Sequence, residues 1–434
     1  MHDIIVQPRQ RSLSRAARPN ALSETEAAGA VDAPVLTALL RTANTSARVL
    51  ALCEAHQASG LLNATHVAAA LHALGRVASS RGATKRESLK TRTQPWLTDA
   101  RTQRLLQLAV QTDAAWTQAG HAPSSASDLV SALRGVTSLR MRVTPQWLAA
   151  WEALACERAR CDSFPARELS GAVWCYATLG ITPGASWTAV SEGLLEQCAD
   201  ELKPQELAAV CWSFGARAIP PRQGAALALQ NAALRAAEQA SHEQDGRMGA
   251  REAANILWGV ARWETPRPMP SQAAWAGQLV ASMGARLETE ATPQEVANTV
   301  WALSKLCGRK GTSHIPPTFW LSFAAASTRT VPSMNTRNLC AVAAAIGCLR
   351  WKPTPMWKAS FEAQVVMKAH KLDPHQARSL LYAWRCMAWM PPQTVVAAVQ
   401  AQLAVTPPVD LVVDSPSLAD TAPELIDRDG ARAR

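Results

Sequence analysis

The sequence predicts an all-α fold, a right-handed superhelical solenoid of about eight helix-turn-helix repeats of roughly 38–46 residues. Three observations predict it. Alanine, the best helix former, supplies 84 of the 434 residues, whereas the strand-favouring aromatics are scarce, at five Phe and two Tyr. A short apolar helical pattern ending in tryptophan recurs along the chain, as in Thr292–Leu306. Proline follows each copy after roughly ten residues, stopping one helix and opening another.

Composition sets the outer bounds. At 48% apolar and 18% charged residues the chain is too apolar to be disordered as a whole. It holds no uncharged apolar run of roughly 18 residues, so no membrane span is expected. The ten cysteines are scattered, none as CxxC, and several sit in apolar helical windows such as Ala172–Tyr176. That usage reads as small buried hydrophobes in a reducing compartment. The net charge of +10 is uneven. Residues 407–434 carry six acids against three arginines, while residues 331–406 carry eight Lys/Arg against two acids. A basic body suggests an anionic partner, nucleic acid by default.

Taken in order, residues 1–32 have no apolar period. They carry Arg9, Arg11, Arg15 and Arg18 with Ser12 and Ser14, a composition expected to be disordered and compatible with a transit peptide. Residues 33–60 read as N-terminal capping helices and 61–406 as the repeat array. Aligned on the tryptophan, the units place His72, Arg134, Trp174, Trp212, Trp258, Trp301, Ala344 and Tyr382 in one column, a period near 40 residues with insertions. Val296, Val300 and Leu303 fall at i, i+4 and i+7, one face of a helix. The second helix of each unit opens at segments such as Pro145-Gln146-Trp147, Pro270 to Trp275, Pro316 to Trp320 and Pro355-Met356-Trp357. A basic insertion with Arg81, Lys85, Arg86, Lys90 and Arg92 interrupts the first unit. Residues 407–434 are acidic, proline-bearing and expected to be disordered.

The stretch Pro293-Gln294-Glu295-Val296-Ala297-Asn298-Thr299-Val300-Trp301-Ala302-Leu303-Ser304-Lys305-Leu306 resembles the signature helix of the octotricopeptide repeat family. Openers such as Ile315-Pro316-Pro317-Thr318-Phe319-Trp320 are similar to that family's other helix. The resemblance covers about residues 61–406, strongest around Trp258 and Trp301; Arg134 and Ala344 depart from it. It implies a helical-repeat factor of green-algal type, sent to the chloroplast or alternatively the mitochondrion. Such a factor binds single-stranded RNA of an organellar transcript sequence-specifically and governs its stability, processing or translation by occupancy. Other proteins of an RNA-processing or translation complex are further expected partners; DNA is not expected.

A stack of helical pairs can present one helix per unit to a single strand, with roughly one base per repeat read by two or three side chains. The expected base-reading residues lie in the first and fourth columns: Glu252, Glu295, Asn338 and Gln376, and Ser131, Asn255, Asn298 and Ser379. Arg262, Lys305, Arg378 and Arg385 are expected at phosphates. Each has a plainer role. A first-column acid favours a helix N-terminus, a fourth-column Asn can bond an adjacent backbone, and the tryptophan column reads as repeat-to-repeat core rather than a stacking platform.

No enzyme signature is found. Gly308 to Ser313 lacks the spacing of a phosphate loop, His242-Glu243 lacks a second histidine, and Cys53-Glu54-Ala55-His56 has no partner pair for a closed zinc site. No catalysis, cofactor or metal is expected. The rival reading is an α-solenoid scaffold that holds proteins without binding RNA.

Overall fold

A computed structural model describes residues 33–82, 99–141, 143–161, 164–239, 248–263, 270–308 and 311–404. The N-terminal segment 1–32, most of the basic insertion and the acidic tail 407–434 lie outside the described residues.

Nineteen α-helices and a few 3-10 turns make up the described residues, which contain no strand. The fold is an all-α solenoid. The first helices of the eight units are α3 (Ala64–Gly82), α6 (Ala126–Ser138), α8 (Ala166–Leu179), α10 (Pro204–Arg217), α12 (Ala250–Trp263), α14 (Pro293–Leu306), α16 (Thr336–Leu349) and α18 (Pro374–Cys386). Each lies against the next in chain order. A parallel stack is formed by the second helices α7 (Pro145–Cys161), α9 (Ala185–Cys198), α11 (Gln223–Gln239), α13 (Pro270–Glu290), α15 (Pro317–Thr330), α17 (Pro355–Lys368) and α19 (Gln393–Ala404). In the first unit that place falls to α4 (Ala100–Leu108), to which α7 is tied by the Trp147 indole donating to the Leu106 carbonyl at 2.7 Å.

The N-terminal helices α1 (Ala33–Thr42) and α2 (Ser46–Ala58) continue both stacks, α1 against α3 and α2 against α4. They pack as one more unit. The long gap before the second unit holds an element the sequence did not announce, α5 (Asp113–Gln118), tethered through an Asp113–Arg158 ion pair to α7.

Local chemistry explains the boundaries. Pro145, Pro270, Pro317 and Pro355 are the first residues of their helices, where the missing N–H costs nothing. At the other end of the first helices the chain turns through a left-handed residue, Arg140, Gly180, Ala218, Gly308, Arg350 or Ala388. Starts are capped by side chains, as when the Glu295 backbone N–H donates to the Thr292 hydroxyl at 3.4 Å and the Glu295 carboxylate accepts the Thr292 N–H at 2.7 Å.

A continuous apolar core runs between the two stacks from Leu36 to Val399. Tryptophans of the second helices anchor it: Trp151, Trp187 and Trp357 are almost wholly buried, and the Trp275 indole donates to the Gln230 carbonyl at 2.9 Å. Where first helices approach most closely, glycine makes room. A Cβ on Gly135 would stand 2.5 Å from the Leu71 carbonyl carbon, and one on Gly215 would stand 2.6 Å from the Gly259 Cα.

Part of the positive charge is structural. Arg76 donates to the Arg41 and Ala43 carbonyls at the end of α1, Arg329 to the Glu288 and Ala291 carbonyls, and Lys368 to the Pro332 and Met334 carbonyls. Each of these three cations clamps its unit to the one before it, where helix C-termini favour positive charge. Net charge alone therefore overstates what is available to a ligand.

Candidate nucleic-acid interface

The first helices bury one side against each other and against the second helices. What remains is a ridge at four positions per helix, spaced i, i+4, i+7 and i+11, as periodicity requires. On α14 these are Gln294, Asn298, Trp301 and Lys305; on α12 they are Arg251, Asn255, Trp258 and Arg262. The residue at the first of these positions is exposed in every unit: Thr65, Ser127, Arg167, Gln205, Arg251, Gln294, Arg337 and His375. Side by side, the eight ridges form one open face.

Its composition is one-sided. Across these four positions in eight helices there is no Asp or Glu, while Arg76, Arg134, Arg167, Arg251, Arg262, Lys305 and Arg337 stand there, Arg76 and Arg262 being also engaged by backbone carbonyls of the preceding unit. Acidic side chains instead dot the exposed sides of the second helices, as Glu157, Glu196, Glu238 and Glu288. The exposed cations Arg167 and Arg337 stand one position ahead of the columns that the repeat alignment made conspicuous, and that alignment passed over them. Their signal was available: a polar residue immediately before each capping position, always outside the apolar stripe.

The first-column residues are placed differently from expectation. The Glu252 carboxylate accepts the Gly249 N–H at 3.1 Å, Glu295 accepts the Thr292 N–H, and the Gln376 amide oxygen accepts the Asp373 N–H at 3.4 Å. Asn338 is buried, its own N–H donating to Asn335 Oδ1 at 2.8 Å. The Glu252, Glu295 and Gln376 side chains thus close helix N-termini at the border of the face, each with one acceptor engaged by a backbone donor.

In the fourth column, Asn298, Ser131 and Ser379 are half-buried on the ridge. Asn255 is not open to a ligand. It is 5% exposed, and its Nδ2 is enclosed without a hydrogen-bond partner. Of the expected phosphate contacts, Lys305, Arg378 and Arg385 are exposed. Arg262 is half-buried and partly committed, its Nε donating to the Gly215 carbonyl at 2.9 Å, and burial pulls its pKa down.

The tryptophan column packs against the core between units but is not sealed within it. Trp212 is buried at 7% exposure, but Trp174, Trp258 and Trp301 are half-buried, and Tyr382 is 71% exposed. The column lies along the edge between core and open face. Trp258 and Trp301, on adjacent units, have ring centroids 6.4 Å apart at a tilt of 37°. Each carries a cation one turn further on: Arg262 lies over Trp258 at 5.3 Å and Lys305 over Trp301 at 5.7 Å. In the second unit Arg134 occupies the column, its guanidinium lying against Gly171 of the next helix, where a β-carbon would collide with it.

Among the described residues no group of three or more His, Cys, Asp or Glu is placed to hold a metal ion, and no helix is long and apolar enough to cross a membrane. Cys53 is buried, which pushes its thiol up to about 12, and the neighbouring His56 ring is held by the Leu52 carbonyl at 2.8 Å.

No protein-family model matches the chain, and no curated protein matches it. Among solved structures, the crystal structure of the pentatricopeptide repeat protein PPR10 from maize is similar at 14% identity and a TM-score of 0.24. That match covers 85% of this chain and 61% of the maize chain.

Proposed function

We propose that this protein is a sequence-specific single-stranded RNA-binding factor that acts by occupancy on an organellar transcript, in the chloroplast or alternatively the mitochondrion. The observation that carries the reading is the ridge of the first-helix stack, whose four positions per helix carry cations and aromatic rings and no acid. A polyanion is attracted to such a surface, and single-stranded bases offer the aromatic faces and edges that its Trp, Asn and Ser side chains suit. Arg167, Lys305 and Arg337 serve as phosphate contacts, and Asn298, Ser131 and Ser379 as the side chains that meet base edges. Covering one segment of a transcript would shield it from exonucleases or hold it open for translation. The organellar assignment rests on the resemblance of the signature helix together with the Arg- and Ser-bearing N-terminal sequence.

Selection from a random RNA pool by the purified chain tests this. An enriched motif of about eight nucleotides is expected from one base per unit, with affinity falling steeply as salt rises. Failure to enrich any sequence, or salt-independent binding, overturns the proposal. The scaffold reading is favoured by a different surface. Leu321, Met356, Met367 and Met390 are 62–91% exposed on α15, α17 and the loop before α19, and would meet a protein rather than RNA.

A further inference from the structure

Arg134 and Gly171 are matched across the seam between the second and third units. The tryptophan column holds its one arginine at Arg134, which is half-buried on α6. The fourth column of the eight first helices holds its one glycine at Gly171, on α8 directly opposite. A β-carbon on Gly171 would come within 2.7 Å of the Arg134 Nε and 2.8 Å of its Cζ, so the bare α-carbon is a seat on which the guanidinium lies. Among the described residues nothing accepts from that guanidinium, and its Nε is enclosed without a partner. Arg76 and Arg262, on the same ridge, differ in that they spend donors on carbonyls of the preceding unit. A guanidinium that served only the fold would have an acceptor, since an idle donor held out of water costs free energy. One that served only to neutralise phosphate would gain little from a fixed seat.

We propose that Arg134 is a specificity-determining residue that reads a guanine at the nucleotide held by the second unit. This rests on the single-strand reading above and adds which base one unit selects and by what group. A planar fork of N–H donors matches a base edge with two adjacent acceptors. Guanine offers O6 and N7 in that arrangement, the pairing by which arginine most often reads sequence, and a single strand leaves that edge open. Ser131, three residues back on the ridge of α6, is half-buried and brings a hydroxyl to the same base. Arg167, one turn before Gly171 on α8, is exposed for the adjoining phosphate. Because Gly171 fixes where the guanidinium lies, the preference belongs to the pair of units and not to Arg134 alone.

Gly171→Ala separates the position of the guanidinium from its charge. The three atoms nearest the added β-carbon all belong to the flexible end of the Arg134 side chain, so the side chain is displaced while the helices stay in place. Random RNA pools are selected with the full chain, with Gly171→Ala and with Arg134→Gln. The parent's motif is expected to hold a guanine that both variants lose, with its other positions kept. Replacing that guanine by 7-deazaguanine, whose N7 is a carbon, is expected to weaken the parent about tenfold and to leave Arg134→Gln unaffected. Gly171→Ala is expected to keep the parent's salt dependence. A parent motif without guanine, a guanine that survives in either variant, or an Arg134→Gln variant weakened alike on every sequence overturns the assignment and leaves single-strand binding standing. A parent that enriches no sequence overturns both.

Discussion

Lys305 serves a helix and a prospective ligand at once. It lies in the last turn of α14, where a cation complements the helix dipole, and over the Trp301 ring on the open face. Replacing it by Gln removes charge without disturbing the core. In filter or fluorescence titrations, Lys305→Gln is expected to make the slope of log K against log salt shallower by about 0.7, the contribution of one single-strand phosphate contact. An unchanged slope would place Lys305 outside the interface. The cysteines offer a second check at this scale. Burial pushes the Cys53, Cys175, Cys307 and Cys340 thiols up to about 12, whereas Cys161 and Cys386 are exposed. The thiolate is the reactive form. Brief alkylation of the native protein at neutral pH should therefore mark Cys161 and Cys386 and spare those four, as read by peptide mass spectrometry. Early labelling of Cys175 would contradict the core packing.

At the scale of an element, the first helices hold together through small residues and backbone contact more than through interlocking large side chains. Gly259 faces the Cys211 carbonyl and the Trp212 N–H of the preceding helix so closely that a β-carbon cannot be added without movement. Gly259→Ala is expected to cost about 1–3 kcal/mol by overpacking, seen as a lower melting temperature; an unchanged value would mean that α10 and α12 are further apart. The caps, turns and proline openers of these helices were legible in the sequence, because each depends on residues within a few positions of one another. The side on which the tryptophan column emerges was not. Trp301 directly follows Val300 and so lies off the Val296, Val300 and Leu303 stripe, and spacing alone does not say whether the neighbouring first helix covers a ring at that position. Only the contact between neighbouring first helices, set by glycines and alanines, leaves the rings at the edge. The first-column capping side chains show the opposite case. Their capping role was readable from local spacing, and the structure finds Glu252, Glu295 and Gln376 in that role.

For the whole molecule, the period near 40 residues gave the stacked architecture, since a lone pair of helices cannot bury its apolar side. It did not disclose that α1 and α2 continue both stacks, because their sequence lacks the tryptophan and proline landmarks. Their packing gives them work to do: Val67, Leu71 and Leu74 of α3 are wholly or almost wholly buried, and α1 lies against that helix. Removing residues 33–60 should uncover apolar surface on α3, lowering the melting temperature and promoting self-association in light scattering, as expected for a repeat array stripped of its end unit. A truncated chain as stable and monodisperse as the parent would show that the array ends at α3.

The glycine-lined junction between α10 and α12 bears on anyone wishing to recombine such proteins. Modular engineering assumes that any module can be spliced beside any other. Here Gly215 and Gly259 answer each other across one seam, so a donor block grafted there must bring its own matching pair of bare α-carbons. Cutting between α14 and α16, where alanine replaces glycine at the position of Gly259, would make the more forgiving splice.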